Sequence, residues 1–185
     1  MKDSAIKCGK RGLSACIGAL LLGFAVPAAV AGPAEDHQKA LGMWEIGNVR
    51  DAMVMWKKLA EDGYAPAQVW LGDMFDQSEE NEASIDWYRK AADQGDAGGE
   101  HGLGMMYAKG EGVTQDFAEA LKYITRAAEK NYPKSVVLLA EVYRNGGLGL
   151  APDPEKAALW EPKAAEFLPK VDPALAKKNE KKKRR

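Results

Sequence analysis

The residues of this chain that could do chemistry are few and scattered. Its two histidines are His37, beside Asp36, and His101, beside Glu100. A zinc site draws three or four nitrogen, sulfur or carboxylate ligands from short, recognisable spacings. Neither histidine has a second histidine or a cysteine at such a spacing, so both read as surface residues and no metal is expected. No nucleophile elbow, phosphate loop or paired-histidine motif is present. The groups needed for nucleophilic or acid–base catalysis do not come together, so no catalytic residue and no cofactor is assigned. The run Gly98-Gly99-Glu100-His101-Gly102-Leu103-Gly104 has the glycine content of a phosphate-binding loop. Its register, however, places it inside a helix, where each glycine costs about 0.8–1.0 kcal/mol relative to alanine. Glycine at that cost points to close helix packing rather than to a ligand.

Thiol chemistry is confined to the start of the chain. Cys8 and Cys16 are the only cysteines, and both fall in a segment that reads as a targeting signal. Lys2, Lys7, Lys10 and Arg11 form a basic front, an apolar run extends from Leu13 to Val26, and Ala29-Val30-Ala31 supplies a small-x-small cleavage site. Residues 1–31 are therefore expected to be a signal peptide cleaved after Ala31, which makes the mature chain periplasmic. A membrane anchor is the alternative, since the 19 residues from Leu13 to Ala31 approach spanning length, but Gly18, Gly23 and Pro27 weaken it. Leu13-Ser14-Ala15-Cys16 resembles a lipoprotein box only superficially, because most of the apolar run follows Cys16. The expected mature chain has no disulfide, thiol nucleophile or cysteine-bound metal. Its fold must be held by packing.

The elements that do the packing repeat. Ala52, Met55, Trp56, Leu59 and Ala60 reappear as Ser84, Trp87, Tyr88, Ala91 and Ala92, then as Ala120, Tyr123, Ile124, Ala127 and Ala128. A worn copy follows at Ala157, Trp160, Glu161, Ala164 and Ala165. The spacing i, i+3, i+4, i+7, i+8 is one face of a helix, here termed helix B. A second set lies between these. Ala67, Leu71, Gly72 and Phe75 match Gly99, Leu103, Gly104 and Tyr107, and then Ser135, Leu139, Ala140 and Tyr143, which defines helix A. Small residues at 72, 104 and 140 allow helix B to approach closely. Neither helix can bury its apolar face alone, so the units must stack. Gly110 is placed to end one helix A as a left-handed cap. Asp116 is placed to cap the following helix B, and Pro154 after Asp153 to open the last one. Gly63 and Gly95 end the first two B helices, and a preceding pair is expected at about 35–46 and 48–62, linked at Gly47.

Leu103-Gly104-Met105-Met106-Tyr107, Gly110-Glu111-Gly112-Val113, Asp116, Ala120 and Ala127-Ala128 together resemble one Sel1-like repeat, a branch of the tetratricopeptide superfamily. The resemblance covers roughly residues 40–166 and implies an all-α, right-handed solenoid of stacked antiparallel helix pairs. The expected units are an N-terminal helix pair at 32–63, repeats at 64–96, 97–132 and 133–169, and a basic, disordered tail at 170–185. Two units depart from the pattern. The first reads Asp76-Gln77-Ser78-Glu79-Glu80-Asn81 in place of a Gly-x-Gly-Val loop and is four residues short there. The third stretches the loop to Gly146-Gly147-Leu148-Gly149-Leu150 and places Pro162 within helix B, which reads as a terminal cap with a kink costing about 3 kcal/mol unless accommodated.

Solenoids of this kind bind proteins. Trp56, Trp87 and Trp160 lie on the helix-B stripe and read as core, whereas Trp70 is replaced by Gly102 and Leu138 in the other units. Recognition is written where the copies disagree, and the resemblance implies that helix A lines the concave face. The candidate contact residues are therefore Gln68, Trp70 and Asp73 in unit 1, Glu100, His101 and Met105 in unit 2, and Val137 and Glu141 in unit 3. Residues 32–169 hold 24 acidic and 14 basic side chains, whereas 170–185 hold 8 basic and 2 acidic. The acidic body suits a basic protein partner, and the resemblance extends to periplasmic antidotes that neutralise secreted toxins. The tail residues Lys177, Lys178, Lys181, Lys182, Lys183, Arg184 and Arg185 suit an anionic membrane or cell-wall surface, each gaining about 1 kcal/mol near such a membrane. A structural envelope factor tethered by this tail is the alternative reading. Export argues against a nucleic-acid partner.

Overall fold

The computed structural model describes residues 32–168, so the expected signal peptide and basic tail lie outside the described residues. Among the described residues, eight helices follow one another: α1 (Pro33–Glu45), α2 (Val49–Glu61), α3 (Ala65–Gln77), α4 (Asn81–Asp93), α5 (Ala97–Lys109), α6 (Phe117–Glu129), α7 (Pro133–Asn145) and α8 (Pro154–Phe167). Odd-numbered helices are the A elements and even-numbered ones the B elements. The described residues contain no strand, only an isolated bridge between Gly147 and Leu150. Each helix packs on the next in the chain, and α3 also touches α5 directly. The result is an all-α repeat fold.

A single piece of local chemistry makes most of the turns. After α2 the Gly63 N–H donates to the Ala60 carbonyl and the Tyr64 N–H to the Leu59 carbonyl, with Gly63 at φ +91°. This paired return to the last helical turn is the Schellman motif, and it needs one residue in the left-handed region. The same two bonds recur after α1, α3, α4 and α6, centred on Gly47, Glu79, Gly95 and Asn131. Gly110 closes α5 in the left-handed conformation, and Asp116 caps α6 by accepting from the Ala118 and Glu119 N–H groups. Asp153 accepts from the Lys156 N–H at the start of α8, which runs on through Pro162.

The repeat stripes form the core. Trp56, Leu71, Tyr88, Leu103, Met106, Ile124, Val136 and Leu139 are all buried. The small residues do what their spacing requires. A Cβ at Gly72 would stand 2.6 Å from the Cδ1–Cε1 edge of the Tyr88 ring, and one at Gly102 would collide with that same edge. A Cβ at Gly99 would lie 2.7 Å from the Ala92 backbone nitrogen. Within the glycine-rich stretch of α5, Gly99 and Gly102 therefore pack on α4 and Gly104 on Ile124 of α6, consistent with its helical register.

Both histidines correct the sequence reading. His37 is not a surface residue. It is buried on α1 against Trp56 and Tyr64, its Nδ1 has no hydrogen-bond partner, and burial lowers its pKa. The repeat stripe does not reach α1, so nothing in the periodicity placed His37 inside. His101 is half-buried and bonded across to α7, as described below.

Candidate functional site

Three of the eight expected contact residues meet at one place. Asp73 on α3 and His101 and Met105 on α5 line a cavity of about 140 Å³, together with Asp76, Lys109 and Lys134. Helical spacing explains the convergence: Asp73 and Asp76 are three residues apart, as are neighbours on one helix face, and His101, Met105 and Lys109 are successive i, i+4 positions. The direct contact between α3 and α5 brings the two rows together.

The cavity wall is hydrogen-bonded across units. The Tyr88 hydroxyl, reaching from α4 between Gly72 and Gly102, donates to Asp73 Oδ1 at 2.6 Å. Burial, then this bond and the Asp73 charge, push the Tyr88 pKa well above its ordinary value, so the phenol stays a donor and fixes the carboxylate. His101 Nδ1 lies 2.8 Å from Ser135 Oγ, and its ring packs on Tyr132 with centroids 5.2 Å apart. Burial, then the Lys134 charge, lower the His101 pKa from 6.5 to about 4, so the imidazole is neutral at pH 7. Lys109 lies 2.9 Å from Glu111 and 3.8 Å from Asp76. Hydrogen bonding to Glu111 raises its pKa, so it remains a cation at the rim.

The Ser135–His101 contact has the composition of a nucleophile and its base but not the access. Ser135 is fully buried, so no substrate reaches its Oγ, and the bond ties α7 to α5. Among the described residues, no group of three or more histidine, cysteine, aspartate or glutamate side chains is arranged to hold a metal ion. What the cavity presents is a fixed carboxylate, a neutral imidazole, a thioether and two lysines on the seam between units.

The other expected contact residues are placed differently, and two of them are corrected outright. Gln68 is buried, donating to the Ala60 carbonyl at 3.0 Å and accepting from Gln94 at 2.7 Å. Glu100 is fully buried and faces Arg126 at 2.6 Å and Lys130 at 2.8 Å. Both act between helices, where a partner does not reach. Position 100 differs between copies because only unit 2 has these two cations on α6, so the variation encodes an internal bridge. Trp70 is half-buried and stacked on Trp56, with centroids 4.4 Å and planes 9° apart. Val137 packs against the core at α7, and Glu141 is exposed on the same helix. Asp76, Lys109, Tyr132 and Lys134 were missed. Lys134 could have been found by the same rule, because Pro66 and Gly98 occupy its position in the earlier units.

A stack of antiparallel helix pairs of this repeating kind defines an α-solenoid, a fold of the protein-interaction class. Residues 65–96, 97–132 and 133–166 each match the Sel1 repeat, and the chain belongs to that family. It is 32% identical over 107 residues to an uncharacterized protein of Neisseria meningitidis, a match covering 58% of this chain and 22% of that one. It is 34% identical over 119 residues to chitin synthase regulatory factor 3 of Schizosaccharomyces pombe, covering 60% and 13% respectively. The chain thus spans less than a quarter of the length of either relative. Among solved structures, a Sel1 repeat protein from Oxalobacter formigenes superposes with a TM-score of 0.65 at 23% identity, covering 75% of this chain and 60% of that one.

Proposed function

We propose that this chain is a periplasmic adaptor that captures a protein on its helix-A face, and that it neutralises a secreted basic toxin as an immunity protein. The observation that carries the adaptor reading is the convergence of Asp73, His101 and Met105 with Asp76, Lys109 and Lys134 in one cavity between units. The toxin reading is supported by the balance of 24 acidic to 14 basic side chains over residues 32–169, a field that speeds encounter with a cationic partner. The name of the fission-yeast relative, a regulatory factor, supports action by binding rather than by catalysis.

The test is affinity capture from envelope extract, comparing wild type with Asp73→Lys and Met105→Glu. A partner retained by wild type and lost from both variants supports the adaptor reading; equal retention refutes it. Deletion of the gene should then sensitise cells to attack by siblings carrying the toxin, and full resistance after deletion ends the immunity reading. The basic tail favours one further reading, a structural envelope factor tethered to anionic lipid or wall polymer. Removal of residues 177–185 should then release the protein from membrane fractions, and unchanged partitioning refutes the tether.

A further inference from the structure

The connections from helix A to helix B in the three matched repeats are unequal, and their inequality leaves a groove. Seven residues join α5 to α6, eight join α7 to α8, but only three join α3 to α4. Each long connection lies back over the start of the preceding B helix. The position of Gly112 is so close to α4 that an added Cβ would stand 2.9 Å from Ile85 Cδ1, and Val113 packs into the cluster of Ile85 and Tyr88. Leu148 packs against the same core cluster as Leu121 and Tyr143, and Gly149 lies against Phe117 of α6.

Unit 1 has no such cover. The residues matching Asn81 and Ile85, 32 positions earlier, are Val49 and Met53 of α2. Ile85 is 3% exposed beneath its loop, whereas Met53 is 40% exposed. The uncovered space is a groove of about 630 Å³, lined by Val49 and Met53 of α2, Phe75 of α3 and Trp87 of α4. That volume lies within the usual range for a ligand-binding cleft, roughly 300–1,000 Å³. Arg50 and Lys57 line its edge, and Lys90 stands 3.7 Å over the Trp87 ring. Lys57 has only a loose, exposed contact with Glu61 at 3.9 Å, which is worth little in water. In a body of net negative charge, this edge is locally cationic.

The geometry points to this groove as the docking site for a loop of a partner protein that supplies what unit 1 lacks: an aliphatic side chain on a glycine-flanked turn, bordered by acidic residues. The sister units specify the aliphatic group, since Val113 and Leu148 occupy the equivalent place. The cationic edge specifies the acidic flanks. A second copy of this chain is a poorer occupant, because its own long loops are already folded onto α4 and α6. The surface is separate from the helix-A cavity, so each stands or falls alone.

The test uses the full chain and a heptapeptide with a central leucine between two glycines and two glutamates at each end. Saturable shifts of the Met53 methyl and Trp87 indole signals in NMR titration are expected. A lysine-flanked peptide and a leucine-to-serine peptide should each bind at least tenfold more weakly, and Met53→Glu should abolish the shifts. A second variant, replacing residues 78–80 with the sequence of residues 110–116, should close the groove and also abolish binding. The proposal is overturned if the shifts are absent, if the flank charge makes no difference, or if binding survives the loop graft. It is equally overturned if sedimentation shows a dimer that Met53→Glu dissociates, since a second copy then fills the groove.

Discussion

Replacing both cations that face Glu100 strands a charge inside the stack. The Glu100 side chain is fully buried, whereas those of Arg126 and Lys130 remain 46% and 40% exposed. The Arg126 contact is a close ion pair without hydrogen-bond geometry, while Lys130 donates both to Glu100 Oε2 at 2.8 Å and to the Gly95 carbonyl at 2.7 Å. Removing the partners of a buried charge costs about 3–5 kcal/mol, because the desolvated group is left uncompensated. Arg126→Met with Lys130→Met should therefore destabilise the chain by about 4 kcal/mol, a large share of the ~5–15 kcal/mol that holds a domain together. At this chain length that lowers Tm by roughly 8–16 °C. The reverse change is predicted to be mild. Glu100→Leu removes the buried charge and leaves two cations that already reach water, at a cost of no more than about 1.5 kcal/mol. The decisive comparison is the triple variant: with Glu100→Leu in place, losing the cations should cost less than about 1 kcal/mol more. Urea unfolding of all four proteins gives the coupling directly. If the two-cation variant loses less than about 1 kcal/mol, as an exposed pair would, or if Glu100→Leu fails to rescue it, the assignment of Glu100 as an interior bridge is wrong.

Further outcomes follow from the same structure. Gly99→Ala should destabilise by about 1–3 kcal/mol despite alanine's better helix propensity, because its Cβ meets the Ala92 nitrogen at 2.7 Å; thermal unfolding reads this out. Glu79 sits at φ +61° in a turn where the equivalent residues after α1, α2 and α4 are glycine, so Glu79→Gly should stabilise by roughly 0.5–1 kcal/mol despite glycine's larger unfolded-state entropy. His101 has a folded pKa of about 4 against an ordinary 6.5, so on acidification the unfolded chain takes up the proton first. Its contribution to stability is complete above pH 6.5 and is withdrawn as pH falls toward 4. The stability difference between wild type and His101→Gln should therefore shrink across that window, and a constant difference refutes the assignment.

The periodic elements were legible in the sequence because burial enforces their spacing. The stripes Trp56–Ala60, Tyr88–Ala92 and Ile124–Ala128, the caps Asp116 and Asp153, and the left-handed Gly110 each follow from local rules. So does the packing use of Gly72, Gly99 and Gly102, once their register is fixed. The candidate site was legible only in part. Asp73, His101 and Met105 share a cavity, but Gln68 and Glu100 showed the same variation between copies for an internal reason. Variation records any difference between units, and a bridge made by Arg126 and Lys130 on a neighbouring helix is as much a difference as a contact with a partner. Single-position periodicity carries no information on which side chains reach across from the next element. The same limit hid His37, whose burial depends on Trp56 and Tyr64 and not on any pattern within α1.

The most direct test of the central claim is photocrosslinking in living cells, with a photoreactive residue placed at position 105 on helix A or at exposed position 129 on helix B. Capture of one protein from position 105, absent from position 129 and lost when Asp73→Lys is added, is the predicted result. Crosslinks from position 129 alone, or none from position 105, would contradict recognition on the helix-A face.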